Sequence, residues 1–325
     1  MVPDFETPGD ERTAVALRAA HLYYIQDLTM EAIAGELFTS RSSVSRLLSY
    51  ARATGLVDIQ IRSPLDAASR IAGELSDRFR ITAHVVPVAG QASDLDRLER
   101  VALSAARTLG EFFDSNMTMG IAWGSTLNAV SRYVTPKPTH NSHIVQLNGA
   151  GNLRTSGVDY ASQILGRFGE AFSARVHQLP VPAFFDDPDT KRAYWKERSI
   201  GRILEMQASM DVALFGLGTP FSEVPSHVYA GGYLDDDDYA LLAESHVVGD
   251  VATVFFRADG TVNDIALNQR TTGPDFAVLR RTPRRICVVS GLSKVEGLRG
   301  ALAAGLITDL FLDDSTAQTL LESQG

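Results

Sequence analysis

Residues 29–62, TMEAIAGELFTSRSSVSRLLSYARATGLVDIQIR, decide how the N-terminal part of this 325-residue chain folds. Thr29 is an N-cap residue ahead of MEAIAGEL, where Ala32, Ile33 and Leu37 share one helical face. Ser40 caps a further helix, RSSVSRLLSYARATG, with Val44, Leu47, Leu48 and Ala51 as its apolar stripe and Gly55 as its stop. Leu37-Phe38-Thr39 is a connection short enough to set the two helices at a steep angle. In LVDIQIRS, Val57, Ile59 and Ile61 alternate with Asp58, Gln60 and Arg62, which is the period of a strand. Upstream, Ala14, Leu17, Ala20 or His21, Tyr24 and Ile25 recur at three- and four-residue spacing and read as a preceding helix. Three helices and a following strand fit a helix-turn-helix with a minimal wing. Ser40, Arg41, Ser42, Ser43, Ser45 and Arg46 lie near the start of the third helix, outside its apolar stripe. Arginine there can pair with phosphate or bidentately with guanine, and serine hydroxyls can bond phosphate or base edges. These six residues are the candidate DNA contacts.

Charge supports that placement locally. The chain carries 30 basic and 39 acidic residues, a net charge of −9, which argues against non-specific coating of nucleic acid. Yet residues 40–62 hold Arg41, Arg46, Arg52 and Arg62 against the single acid Asp58, whereas residues 1–39 are strongly acidic. The one cysteine, Cys287, excludes an internal disulfide and a cysteine-based zinc site. The seven histidines show no paired ligand spacing, so neither metal nor cofactor is expected. The N-terminus carries acids where a signal peptide needs a basic start, and no apolar run of about 18 residues occurs. A cytoplasmic protein without a membrane partner is expected. Residues 1–12 read as a loose tail, 13–63 as the DNA reader and 64–325 as a second domain, with Ser63-Pro64 at the boundary.

The remainder alternates short apolar runs with helical patterns. Strands are expected at 81–88, 118–123, 143–149, 176–181, 211–218, 251–256, 285–291 and 307–312. Helices are expected at 94–112, 125–133, 158–174, 191–208, 235–245, 293–304 and 314–322. This alternation implies an α/β fold, a Rossmann-like parallel sheet covered on both faces. The acidic run Asp235 to Asp238 falls at a helix start, where the dipole favours acids, so it reads as structural.

Several loops at strand ends carry binding chemistry. TMGIAW runs into Gly124-Ser125-Thr126 and a helix, a place where glycine lets backbone approach an anion and hydroxyls and free amides can hold it. Asn148-Gly149 ends another strand, and Gly216 and Gly218 end a third. In open parallel sheets ligands gather at the carboxyl ends of strands, so such loops can converge on one pocket. Asp250 precedes a strand and can accept two sugar hydroxyls. Lys294 stands at a helix start, where the dipole disfavours a cation unless an anion is bound. Trp123 suits either stacking on a sugar or core packing. Cys287 lies inside an apolar strand and reads as an inert core thiol.

The stretch LYYIQDLTMEAIAGELFTSRSSVSRLLSYARATGLVDIQI resembles the N-terminal reader of SorC-type bacterial transcriptional regulators. The blocks GIAWGSTL, VQLNGAG, LPVPAFF, DVALFGLGTP, GDVATVFFRADG and VVSGLSKVEGLRGALAAGLITDLFLDD resemble, in order, that family's sugar-binding domain. Residues 14–322 are covered. The resemblance implies a fold related to ribose-5-phosphate isomerase and glucosamine-6-phosphate deaminase. It also implies a regulator of operator DNA tuned by a sugar or sugar phosphate. Gly124, Ser125, Thr126, Asp250 and Lys294 match the family's effector-contact positions, with Asn148 and Gln163 aligned more loosely. Palindromic operators call for a two-fold protein, so a homodimer or homotetramer is expected. The competing reading is a sugar-phosphate isomerase or deaminase with an added N-terminal domain, since AWGST (122–126) approximates the isomerase phosphate loop. The general acid and base groups are missing where such enzymes carry them: Thr219-Pro220-Phe221-Ser222 lacks the histidine and acid.

Overall fold

The computed structural model describes residues 8–57, 64–220 and 226–322. The chain separates into two compact units, Met1–Ser63 and Pro64–Gly325.

The first unit consists of helices α1 (Pro8–Tyr24), α2 (Met30–Glu36) and α3 (Arg41–Ala53). Thr29 caps α2, accepting from the Ala32 amide, and Ser40 caps α3, accepting from the Ser43 amide at 3.2 Å. Their core is Ile33 and Ala34 of α2 with Val44, Leu48 and Ala51 of α3, and Leu47 is half-buried. Ala32, expected inside, is exposed. Two expectations for α1 are corrected. Residues 8–12 are helical rather than a loose tail; proline fits a first turn because its missing N–H would have no partner there. The buried face is Ala16, Ala19, Ala20 and Leu22, while Ala14, Leu17, His21 and Ile25 are exposed. Three alanines let α1 approach its neighbours closely, which a face of leucine and isoleucine would prevent. The connection after α2 is a Schellman motif: Thr39 N–H donates to Ala34 O at 2.9 Å and Phe38 N–H to Gly35 O at 3.3 Å. Of the strand read at 57–61, all but Val57 lies outside the described residues.

The second unit is built on a seven-stranded sheet. In chain order its elements are α4 (Pro64–Phe79), β1 (Thr82–Val86), α5 (Asp94–Phe112), β2 (Thr118–Ile121), α6 (Ser125–Ser131), β3 (His143–Gln146), α7 (Val158–Phe172) and β4 (Arg175–His177). Then come α8 (Pro188–Tyr194), α9 (Arg198–Ala208), β5 (Val212–Gly216), α10 (His227–Ala230), α11 (Asp236–Glu244), β6 (Val247–Val251) and β7 (Val254–Arg257). The chain continues with α12 (Phe276–Arg281), β8 (Arg284–Val288), α13 (Val295–Ala303), β9 (Asp309–Asp313) and α14 (Asp314–Glu322). The sheet order is β1-β9-β8-β5-β2-β3-β4, and every pairing in it is parallel. Successive strand residues enter opposite cores: Val212 and Leu214 face one, Ala213 and Phe215 the other. Ile286 and Val288 oppose Cys287 in the same way. Burial on both faces is why these strands read as continuous apolar runs.

Three sequence readings differ from this unit. The strand expected at 251–256 is an antiparallel hairpin, β6 and β7, outside the main sheet. Its turn residues Ala252 and Thr253 have φ of +47° and +68°, and no glycine marks them. The helix expected at 191–208 is two helices, broken at Trp195–Glu197. Helix α4, unassigned in the sequence, starts at Pro64. The acidic run does serve a helix start: Asp235 and Asp238 form a capping box on α11.

Candidate functional site

The strand order reverses between β2 and β5. From β2 the chain adds β3 and β4 on one side, then crosses to β5 on the other. A crevice opens at the carboxyl ends of strands at such a switch point. There a pocket of about 430 Å³, counting its mouth, is lined by residues 122–127 after β2, by 216–218 at the end of β5, and by Asn148, Ser226, Asp250 and Thr253.

Each wall has a local cause. Gly124 leaves β2 with φ of +140°, and no side chain caps the first turn of α6. Gly218 is in close backbone contact with Asp250: the two exchange N–H···O bonds of 3.0 Å. A Cβ on Gly218 would lie 1.8 Å from Asp250 Oδ1, so any other residue there would displace that carboxylate. Trp123 is a wall rather than a free stacking platform. Its ring stacks on Tyr233 at 5.1 Å, and its Nε1–H donates to the Asn148 and Gly149 carbonyls at 3.1 and 2.8 Å.

The pocket contains buried polar atoms with no partner among the described residues. Asn148 is 1% exposed and Asp250 4% exposed, and the Oδ1 of each is unpaired, as is Ser226 Oγ. Asp250 Oδ2 accepts from the Thr253 amide at 3.1 Å. Tyr229 lies beside Asp250, but neither its hydroxyl nor Asp250 Oδ1 closes a well-formed hydrogen bond. Burial pushes the Asp250 carboxyl up to about 6, against the pull of Tyr229, Thr253 and Lys294. Burial and the neighbouring Asp250 hold the Tyr229 phenol well above its ordinary value. An unpaired buried polar group costs about 1–3 kcal/mol, so three on one lining, Asn148 Oδ1, Asp250 Oδ1 and Ser226 Oγ, suit a ligand rich in hydroxyls.

Seven of the ten residues read as effector contacts line this pocket: Gly124, Ser125, Thr126, Asn148, Gly216, Gly218 and Asp250. Three do not. Gly149 packs against the Val181 and Pro182 carbonyls, and its amide donates to Thr272 Oγ1. Gln163 is exposed on α7. Lys294 ends the short turn Leu292–Lys294 before α13, half-buried and outside the lining. Burial brings its amine down to about 8, while Asp250 and Asp94 oppose that shift. Ser226, Tyr229 and Thr253 were not anticipated, since isolated hydroxyls carry no sequence signal.

In the first unit, Ser40, Arg41, Ser42, Ser45 and Arg46 are exposed and Ser43 is half-buried. The serines are linked: Ser40 Oγ lies 2.8 Å from Ser42 Oγ and 3.0 Å from Ser43 Oγ. Arg41 is paired with Glu31 of α2 at 2.7 Å, a contact the sequence did not suggest. An exposed pair is worth under about 1 kcal/mol, so a phosphate displaces Glu31 at little cost. Arg46 reaches Ser43 Oγ at 3.3 Å and forms no ion pair among the described residues.

Cys287 is fully buried in β8, and burial pushes its thiol up to about 12. Among the described residues no group of three His, Cys, Asp or Glu could hold a metal ion. No described helix is long and apolar enough to cross a membrane.

A three-helix unit and a doubly covered parallel sheet with a polar pocket at its switch point are the parts that a ligand-responsive regulator needs. Known proteins agree. Residues 63–322 match the sequence profile of the family described as "Putative sugar-binding domain". The deoxyribonucleoside regulator of Bacillus subtilis is 33% identical over 317 residues, covering 96% of this chain and 98% of its own. A solved domain of "a possible sugar-binding transcriptional regulator" from Arthrobacter aurescens is 54% identical, with a TM-score of 0.75 over 80% of this chain and 100% of its own. The full-length sorbitol operon regulator SorC from Klebsiella pneumoniae shares the fold, with a TM-score of 0.70, 24% identity and coverage of 96% and 99%. The chain belongs to the SorC-type family of sugar-binding transcriptional regulators. It is a regulator and not an enzyme, as its relatives are.

Proposed function

We propose that this chain binds operator DNA through Ser40, Arg41, Ser42, Ser43, Ser45 and Arg46, and that a sugar or sugar phosphate in the β2/β5 pocket sets its affinity. Residues 13–63 act as the reader, and residues 64–325 bind the effector and assemble the chain into a homodimer or homotetramer. The observation that carries the effector reading is a pair of buried acceptors in one pocket, Asn148 Oδ1 and Asp250 Oδ1, with no partner among the described residues. Sugar hydroxyls are the donors such acceptors need. A phosphate would lie on the uncapped turn at Gly124-Ser125-Thr126, and Lys294, whose charge is felt at the lining residue Asp250, would favour an anion in the pocket. Effector contacts that differ between two arrangements of the protein then shift DNA affinity.

The test is a thermal-shift panel of sugars and sugar phosphates on the full chain. It includes deoxyribose compounds, because a relative is named a deoxyribonucleoside regulator. A ligand that binds only the folded state raises the melting temperature by mass action. Binding without turnover, together with altered affinity for DNA, is expected. A panel with no shift, or a ligand that is consumed, overturns the reading. Sedimentation measures the assembly state.

A further inference from the structure

The connection between α2 and α3 holds a phenylalanine where its backbone favours glycine. Phe38 lies one residue past the C-cap Leu37 with φ of +50°, the left-handed position of the Schellman motif. That backbone crowds the Cβ of any L side chain, which is why glycine or asparagine usually stands there. The ring gains nothing from its own unit in return. It is 97% exposed, the most exposed large hydrophobic side chain among the described residues, while its neighbour Leu37 packs on the core.

The loop leads straight into the proposed reading surface. Two residues on, Ser40 caps α3, and the exposed Arg41, Ser42, Ser45 and Arg46 follow. Uncovered and strained, the ring adjoins a cationic, hydroxyl-bearing turn, so its partner must offer apolar and polar groups side by side. The major groove does so: thymine C5-methyl groups stand among the base-edge acceptors and phosphates. We infer that Phe38 is a DNA-contacting residue whose ring packs on a thymine methyl at the edge of the site entered by α3. This rests on the reading of α3 as the DNA reader.

The probe is a duplex selected from a random-sequence library by the wild-type full chain, used at fixed salt. Phe38→Asn relaxes the backbone and removes the ring. It is expected to slow amide exchange across α2 and α3 yet weaken binding about fourfold or more, the worth of a buried methyl contact. Phe38→Leu keeps apolar bulk and should retain most of the affinity. Replacing single thymines by uracil should weaken the wild type about fourfold at one or two positions and leave Phe38→Asn unchanged there. The uracil scan on the wild type needs no variant, so a misfolded mutant does not shield the proposal. Wild-type indifference to every uracil, or equal losses in wild type and Phe38→Asn, overturns it. So does a Phe38→Asn chain that binds as tightly as wild type, or one that changes only its sedimentation. If Arg46→Ala is also silent, the reader assignment of α3 falls as well; if Arg46→Ala is impaired, only Phe38 is removed from the surface.

Discussion

The two units solve the problem of holding polar groups ready for a ligand in opposite ways. On α3 the candidate contacts are mostly exposed and already satisfied by one another: three serines share hydrogen bonds, Arg41 rests on Glu31, and Arg46 on Ser43. Water satisfies what remains, so the surface costs little when empty, and each contact can be exchanged for a phosphate. In the sheet unit two candidate contacts, Asn148 and Asp250, are buried, and each keeps an oxygen with no partner among the described residues. There the empty pocket costs stability, and a ligand restores it. If α3 is the DNA reader proposed above, exposure gives it an interchangeable, salt-sensitive surface. Burial gives the pocket discrimination, because an ill-fitting ligand leaves the same atoms unpaired.

The largest expected effect tests that contrast at Asp250. Its carboxyl is raised from 3.8 to about 6 by burial, so the folded chain binds the proton more tightly than the unfolded chain. The resulting penalty is full above about pH 6 and gone below about pH 4. Asp250→Asn should therefore raise stability at pH 8 by up to about 3 kcal/mol and change it little at pH 4. The same variant should lose sugar affinity. Denaturant titrations at both pH values and calorimetry check this; a variant that loses stability at pH 8 breaks the contrast.

Arg46→Ala should weaken DNA binding by about 2 kcal/mol, roughly 30-fold, while stability and effector binding hold. A gel-shift titration at fixed salt measures it, and unchanged affinity removes Arg46 from the surface. Lys294→Ala should weaken a phosphorylated effector about tenfold and its unphosphorylated analogue far less, the difference an anion-directed charge makes. Equal losses in calorimetry would place Lys294 outside the phosphate subsite. The smallest effect concerns His143 and His177, whose ring nitrogens lie 3.0 Å apart on β3 and β4. Burial and then His143 lower the His177 value, so the unfolded chain takes up the proton first. Stability from His177 should fall as pH drops through about 6.5, and His177→Gln should flatten that slope in thermal melts from pH 7.5 to 5.5.

How far such features could be read in advance depended on how local their causes are. Helices α5 and α14 have the limits their periodicity marks, 94–112 and 314–322. Ser93 closes a capping box on α5, and so the start of that helix is written in neighbouring residues. The β6–β7 hairpin was misread because its turn uses Ala252 and Thr253 at positive φ instead of the glycine or asparagine that announces one. The buried face of α1 was misread because both sides of that helix carry apolar residues, and packing chose the alanines. In the site, the glycine loops after β2 and β5 were legible, whereas Ser226 and Tyr229 were not.

The sequence by itself determined most of the helices and strands and, through the order of its motifs, the class of protein, because caps and 3.6- and 2-residue periodicity act over short distances. Only the tertiary structure decided the pocket. Asn148, Gly218 and Asp250 meet because the strand order reverses between β2 and β5 and the hairpin folds onto the Gly218 loop. Pairings between residues so far apart in the chain depend on how the whole sheet packs, and no local pattern encodes them.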